Sequence, residues 1–448
     1  MTGTTYWCDL ALLDDGVVAD LALTVEFGRF TSIEASVPAP PDAIRLPGLT
    51  IPGLANAHSH AFHRALRGRT QTGTGSFWTW RDVMYRAAER LDPDRYHRLA
   101  RATFAEMALA GITVVGEFHY LHHQPNGTPY TDPNAMGEAL LAAAADAGIR
   151  ITLLETLYLH GGLTADGYTP TEGVQHRYDD HAADTWAERV ELLAPSPTQR
   201  IGAAIHSVRA VDPDAMRVAA AWAGERDAPL HAHVSEQPAE NAQCLAHHDV
   251  SPTGLLRDAG ILGDRFTAVH ATHLDNADLA AYAAAGASVC LCPTTERDLG
   301  DGIGPSSLLA EAGVAMSLGS DSHATIDLLG EARAVEVDQR LRTEGRGIHS
   351  AASLLAMATV HGHAGLGWDD AGMISVGSRA DLVTISLDSV RTAGGTADTA
   401  IETAVFAASA ADITHVVIDG IVVVAGGRHA TIDVAAELSE SIRDVMDA

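Results

Sequence analysis

The sequence predicts an α/β fold, a (β/α)8 barrel with a small β-sandwich domain assembled from both chain termini. Three observations predict it. Eight short apolar runs alternate with Ala-rich stretches of helical spacing between residues 49 and 370. Several of these runs end on a histidine or an aspartate, and the C-terminal strand ends are where barrel enzymes place their chemistry. Both flanks carry β-like runs with no helical periodicity.

The apolar runs fall at residues 50–55, 112–118, 149–157, 201–206, 229–233, 266–270, 287–292 and 314–319. Helical spacing marks residues 95–110, 135–147, 182–193, 213–223 and 276–285 between them. Eight strands separated by helices favour a closed barrel over an open sheet. On the flanks, residues 21–25, 30–34, 380–386 and 415–425 read as strands, with Gly426-Gly427 as a turn. Neither flank has enough strands for a core of its own, so the two are expected to share one. Residues 392–399 read as a loop, and a helix over 435–446 closes the chain. The expected division is therefore 1–48 and 371–448 for the β-domain, the latter with the terminal helix, and 49–370 for the catalytic barrel.

Composition narrows the function. At 448 residues, 46% hydrophobic and 19% charged, the chain reads as an ordinary soluble globular protein. No basic leader precedes an apolar segment and no run of 18 apolar residues occurs, so neither a signal peptide nor a membrane span is expected. The four cysteines, Cys8, Cys244, Cys290 and Cys292, lack a disulfide-like spacing. Cys290-Leu-Cys292 lies in an apolar run and reads as core, in keeping with a reducing cytoplasm. A net charge of −29 opposes binding to nucleic acid or to anionic membrane. All 29 basic residues are arginine. Without lysine the chain has no Schiff base, no P-loop and no carboxylated lysine bridging two metals, which favours a single metal ion.

The chemistry starts at His58-Ser-His60, behind the run Leu49-Thr-Ile-Pro-Gly-Leu-Ala-Asn56. Residues i and i+2 of a strand share a face, so the two imidazoles can grip one ion. An isolated pair of this kind is weak evidence in a chain with 23 histidines. Its partners follow in order at later strand ends: His233 closing Asp227-Ala-Pro-Leu-His-Ala-His, His270 closing Arg265-Phe-Thr-Ala-Val-His, and Asp321 after Val314-Ala-Met-Ser-Leu-Gly-Ser. Three imidazoles and a carboxylate suit Zn²⁺ and leave a position for water, although Fe²⁺ or Mn²⁺ fits the same donors. The expected ligands are His58, His60, His233 and Asp321. Zinc lowers the pKa of its water to about 7, creating a nucleophile at neutral pH. Asp321 can take that water's proton, Glu236 in His233-Val-Ser-Glu236 can move a proton to the leaving nitrogen, and His270 can stabilise the developing charge. His122-His123, His247-His248 and His361-Gly-His363 lack such context and read as structural or surface residues.

This constellation resembles the amidohydrolase superfamily, and Gly372-Met-Ile-Ser-Val-Gly-Ser-Arg-Ala-Asp-Leu-Val383 looks like that family's return into its β-domain. The ligand pattern is similar to the mononuclear deaminase branch. A narrower likeness is carried by Ser76-Phe-Trp-Thr-Trp-Arg-Asp-Val-Met-Tyr85, Gly116-Glu-Phe-His-Tyr-Leu-His-His123, Ile205-His-Ser-Val-Arg-Ala210, Val269-His-Ala-Thr-His273 and Thr295-Glu-Arg-Asp-Leu-Gly-Asp-Gly302. These segments look like the formimidoylglutamate deiminases, which hydrolyse N-formimino-L-glutamate to N-formyl-L-glutamate and ammonia in histidine degradation. The resemblance implies substrate contacts at Arg81, Tyr120, His206 and Arg209, a small dicarboxylate amidine as substrate, and a homodimer.

The residues bear on that substrate independently. A dicarboxylate needs local positive charge in a chain of net charge −29, and arginine holds a carboxylate with two parallel hydrogen bonds. Arg209 stands three residues past a predicted strand end, and Arg81 in what reads as an aromatic-rich loop after the first strand. His63 stands where the family pattern has Gln, next to the expected imino end of the substrate; it can still donate one hydrogen bond. The alternative within the same chemistry is a mononuclear-zinc deaminase of a cyclic aminated base such as guanine, cytosine or an adenosine derivative.

Overall fold

The computed structural model describes residues 3–71 and 77–447, so Ser76 of the aromatic segment lies outside the described residues. Eight parallel strands follow one another in sequence order: Leu54–Ser59, Ile112–His119, Arg150–Leu157, Gln199–Ser207, Leu230–Val234, Phe266–His270, Ser288–Leu291 and Met316–Leu318. The first and last meet through a parallel bridge between Ser59 and Asp321. There the Asp321 N–H donates to the His58 carbonyl at 3.0 Å and the His60 N–H to the Asp321 carbonyl at 3.3 Å. The barrel thus closes at the level of the expected metal ligands.

Helices between the strands start where the sequence supplies a cap. Asp92-Pro93, Asp212-Pro213 and Ser251-Pro252 each place a side-chain acceptor at the N-cap and a proline in the first turn, which has no hydrogen bond to lose. Gly148 and Gly286 end their helices at φ of 73° and 68°, a left-handed conformation that costs glycine little.

Two elements near the start of the barrel differ from the sequence expectation. The run at 50–55 is divided: residues through Pro52 belong to strand Ile44–Pro52 of the other sheet, and the barrel starts at Leu54. Proline has no N–H to continue a ladder, and a Cβ on Gly53 would lie 2.4 Å from Thr113 Oγ1, so only glycine lets the chain pass so closely between the sheets. Arg81 lies in helix Phe77–Arg90 rather than in a loop. Met84, Ala87, Ala88 and Leu91 recur at helical spacing on its buried side, a pattern obscured by the neighbouring aromatic residues.

The flanks form one mixed eight-stranded sheet. Strand Thr4–Leu13 pairs in parallel with Ile44–Pro52, which pairs antiparallel with Leu382–Ile385, Leu382 opposite Pro52 and Ile385 opposite Leu49. That pairing joins the two termini. Their shared core mixes Tyr6, Cys8, Leu21 and Phe30 with Ile374, Leu382 and Val417. A buried ion cluster ties sheet to barrel: Arg150, on the third barrel strand, pairs with Asp381 and reaches Asp419 at 3.0 Å, its guanidinium 5.2 Å from the centre of the Trp368 ring. The loop expected at 392–399 ends in a short 3-10 turn, Ala397–Thr399, and leads into helix Ala400–Phe406, which the sequence reading lacked. The terminal helix, Val434–Met446, packs on Pro93–Leu109. Among the described residues no helix is long and apolar enough to cross a membrane.

Candidate metal centre and active-site cavity

Strand alternation carries the His58 and His60 side chains into the barrel, ring centres 4.7 Å apart. His233 enters from the fifth strand with its Nε2 3.2 Å from His58 Nε2. Asp321 Oδ1 lies 3.3 Å from His58 Nε2 and 3.4 Å from His60 Nε2. The tautomers follow from the second ring nitrogen. His60 Nδ1 is 2.9 Å from the Phe118 carbonyl and His233 Nδ1 is 2.9 Å from the His206 carbonyl. A carbonyl only accepts, so both Nδ1 atoms carry the proton and both Nε2 atoms present lone pairs. Burial lowers the pKa of His58 to about 3 and also lowers those of His60 and His233, keeping the rings neutral as metal binding requires. Burial works against the Asp321 charge, but its contact with His58 and the positive charge of His270 hold this carboxyl well below its usual range. Converging lone pairs beside a carboxylate repel one another unless a cation sits among them. Among the described residues His58, His60 and Asp321 lie close enough to hold one ion, as do His58, His233 and His270.

His270 stands beside that set, its ring nearly parallel to His233 at 5.6 Å. Its Nε2 is 3.8 Å from Asp321 Oδ2 and 3.9 Å from Glu236 Oε1, and its Nδ1 is 3.5 Å from Glu296 Oε1. Burial opposes a charge on this ring, yet Glu236, Glu296 and Asp321 outweigh it and raise its pKa well above the ordinary value. A positive charge on this ring suits it to stabilise developing negative charge, and the ring also lies close enough to His58 and His233 to share an ion with them. Several site residues adopt positive φ, among them His270 at 70° and Asp321 at 41°. Such backbone costs about 1–3 kcal/mol per residue and tends to be kept where function needs a side chain aimed.

His60, His63, Arg81, Tyr120, His206, Arg209, His233, Glu236, His270 and Asp321 line one cavity at the C-terminal end of the barrel. His58 lies beneath it, fully buried. All the residues singled out in the sequence are thereby brought together. Tyr120 and His63 are joined, OH to Nε2, at 3.0 Å, which leaves the buried His63 Nδ1 without a hydrogen-bond partner among the described residues. The Arg81 guanidinium lies 5.4 Å from the centre of the Tyr85 ring. Arg209 enters the cavity already paired, with Nε 3.3 Å from Glu240 Oε2 and Nη2 3.8 Å from Glu236 Oε2. Burial opposes its charge, and Glu240 and Glu236 more than restore it.

Sequence reasoning missed Glu240, Glu296 and the wall formed by Trp80, Met84, Tyr85, Tyr158, Gln175 and Tyr178. Glu240 had a signal, four residues past Glu236 in the first turn of helix Pro238–His248. Glu296 had one too, inside the segment Thr295–Gly302 that follows the seventh strand. The wall residues come from helices and loops, where nothing in the sequence says which side faces the cavity. Cys290 and Cys292 pack in the barrel interior against Ala57 and Val269, as core residues.

The amidohydrolase family profile matches residues 49–423. The chain belongs to the amidohydrolase family. Its relatives include the formimidoylglutamate deiminase of Pseudomonas aeruginosa, 36% identical over 87% of each chain. Among solved structures, an amidohydrolase from Brucella melitensis superposes with a TM-score of 0.91 at 31% identity, covering 99% of this chain and 100% of that one. An adenosine deaminase from Xanthomonas campestris with bound zinc shares the amidohydrolase fold at a TM-score of 0.82 and 23% identity, covering 99% and 98%.

Proposed function

We propose that this amidohydrolase is a metal-dependent iminohydrolase that converts N-formimino-L-glutamate to N-formyl-L-glutamate and ammonia, with residues 49–370 as its catalytic unit. The observation that carries this reading is a single cavity holding Arg81 and Arg209 beside the converging imidazoles and Asp321. The likeness to a formimidoylglutamate deiminase along 87% of each chain supports it. The four cysteines, all free and buried, agree with a reducing cytoplasm, and the reading extends to a homodimer.

In this reading one Zn²⁺ is held by His58, His60, His233 and Asp321 and supplies Lewis-acid activation of water at neutral pH. Arg81 and Arg209 hold the substrate's two carboxylates, and His206 and Tyr120 close the cavity around its stem. His63 faces the imino end, where its unpartnered Nδ1 meets one substrate N–H. The Glu236 carboxylate pairs with the cationic amidine. Asp321, held ionised, accepts a proton from the attacking water as its oxygen bonds to the formimino carbon. His270, held as imidazolium, stabilises the charge that collects there. The Glu236 carboxylate takes the proton of the added hydroxyl and passes it to the terminal nitrogen, the carbonyl forms as the C–N bond breaks, ammonia leaves, and Asp321 then gives up the proton it accepted.

A second reading, deamination of a cyclic aminated base, draws on the aromatic wall of Trp80, Tyr85, Tyr120, Tyr158 and Tyr178, which suits a flat ring. Ammonia release by the zinc-loaded protein from N-formimino-L-glutamate, guanine, cytosine and adenosine separates the two. A kcat/KM for formiminoglutamate at least about 100-fold above each base is expected, since a site built around charged partners rejects ligands that lack them. Preference for any of the bases would overturn the iminohydrolase reading.

A further inference from the structure

Outside the barrel, behind its second and third strands, lies a polar cluster that the reaction does not use. Phe118 points inward against the His58 and His60 rings, so its neighbour His119 projects to the opposite, helix-facing side of the sheet. Glu155 is paired with His119 in strand register and shares that side, and His122 follows three residues on. All three are buried, and one donor atom from each lies within 4.8 Å of the other two.

The donor chemistry repeats that of the catalytic centre. His122 Nε2 is 2.9 Å from the Thr156 carbonyl, so it carries the proton and Nδ1 presents a lone pair. That lone pair sits 3.6 Å from Glu155 Oε2, acceptor facing acceptor. His119 Nδ1, His122 Nδ1 and Glu155 Oε1 have no hydrogen-bond partner among the described residues. A buried polar atom left unpaired is costly, so three in one place call for a ligand. Arg189 donates to Glu155 Oε2 at 2.7 Å and to Asp180 Oδ2 at 2.8 Å, one cation against two carboxylates. A Cβ at Gly137 would lie 2.7 Å from Glu155 Oε1, so only glycine leaves that oxygen its space.

We propose that His119, His122 and Glu155 form a second site for one divalent transition-metal ion, structural in role and distinct from the catalytic centre. Bonds of about 2.0–2.2 Å at tetrahedral angles set donor separations of about 3.3–3.6 Å, and His122 Nδ1 lies 3.6 Å from the Arg189-bound Oε2 of Glu155, whose unpaired Oε1 completes the carboxylate. The ion would fasten the second and third strands, the loop after His119 and helix Ala135–Ala147, which carries Gly137, to one point.

Crystals of the wild-type protein grown with Zn²⁺ and measured on both sides of the zinc absorption edge test this directly. An anomalous peak is expected between His119, His122 and Glu155, in addition to one at His58, His60, His233 and Asp321. His122→Gln should lose one zinc per chain by elemental analysis while ammonia release persists. A peak without anomalous signal at the second site, or none, would overturn the proposal, because a water molecule would then satisfy the same three atoms. The wild-type map decides even where the variant does not fold.

Discussion

Glu236 and Arg209 carry the residue-scale consequences. Glu236→Gln keeps the shape of the side chain and removes the proton carrier. Bound zinc is expected to stay while kcat for formiminoglutamate falls about 100-fold or more; unchanged turnover would move the proton transfer to His270. Arg209 is less simple than its sequence position suggested, since it also neutralises the buried Glu240. The informative comparison is therefore Arg209→Met/Glu240→Gln against Glu240→Gln alone. Loss of a carboxylate clamp should lower kcat/KM for formiminoglutamate by about 10- to 1,000-fold and leave hydrolysis of plain formamidine nearly unchanged. Equal losses on both substrates would mean that Arg209 supports the barrel. The four proposed metal ligands were legible in the sequence because each ends an apolar run. Glu240's grip on Arg209 was not, because an ion pair across a helix and a loop leaves no periodic trace.

At the scale of elements, the strand ends do the positioning, and one tight point is where the eighth strand meets the first. A Cβ on Gly319 would lie 2.7 Å from His58 Cβ and 2.9 Å from Cys292 Sγ. Gly319→Ala must push His58 or the Cys292 layer aside, at a cost of about 1–3 kcal/mol for overpacking. The expected result is a lower urea midpoint together with zinc lost to a chelator that leaves the wild type loaded; unchanged zinc retention would show that His58 is not held by this contact. All eight barrel strands were readable as apolar runs, yet the first was misplaced by several residues. Its apolar character runs unbroken through Pro52-Gly53 into a strand of the other sheet, so hydrophobicity alone could not find the break. Helix Phe77–Arg90 was hidden for a related reason, its buried face lying among aromatic residues that read as a loop.

For the molecule as a whole, the sequence foretold that both termini build one β-domain, because neither flank alone had enough strands to bury a core. The pairing that achieves it, Leu382–Ile385 against Ile44–Pro52, was not foretold, since strand partners more than 300 residues apart leave no local signal. The whole-chain charge of −29 sets the electrostatic problem of an anionic substrate, which in the proposed reaction Arg81 and Arg209 answer within the cavity they line. The central claim, that this centre hydrolyses the C–N bond of a formimino group, is tested most directly by following N-formimino-L-glutamate by NMR with the zinc-loaded protein. The expected result is N-formyl-L-glutamate and ammonium in equal amounts, with no reaction in His233→Ala. Release of glutamate and formamide, or no turnover with zinc bound at His58, His60, His233 and Asp321, would contradict it.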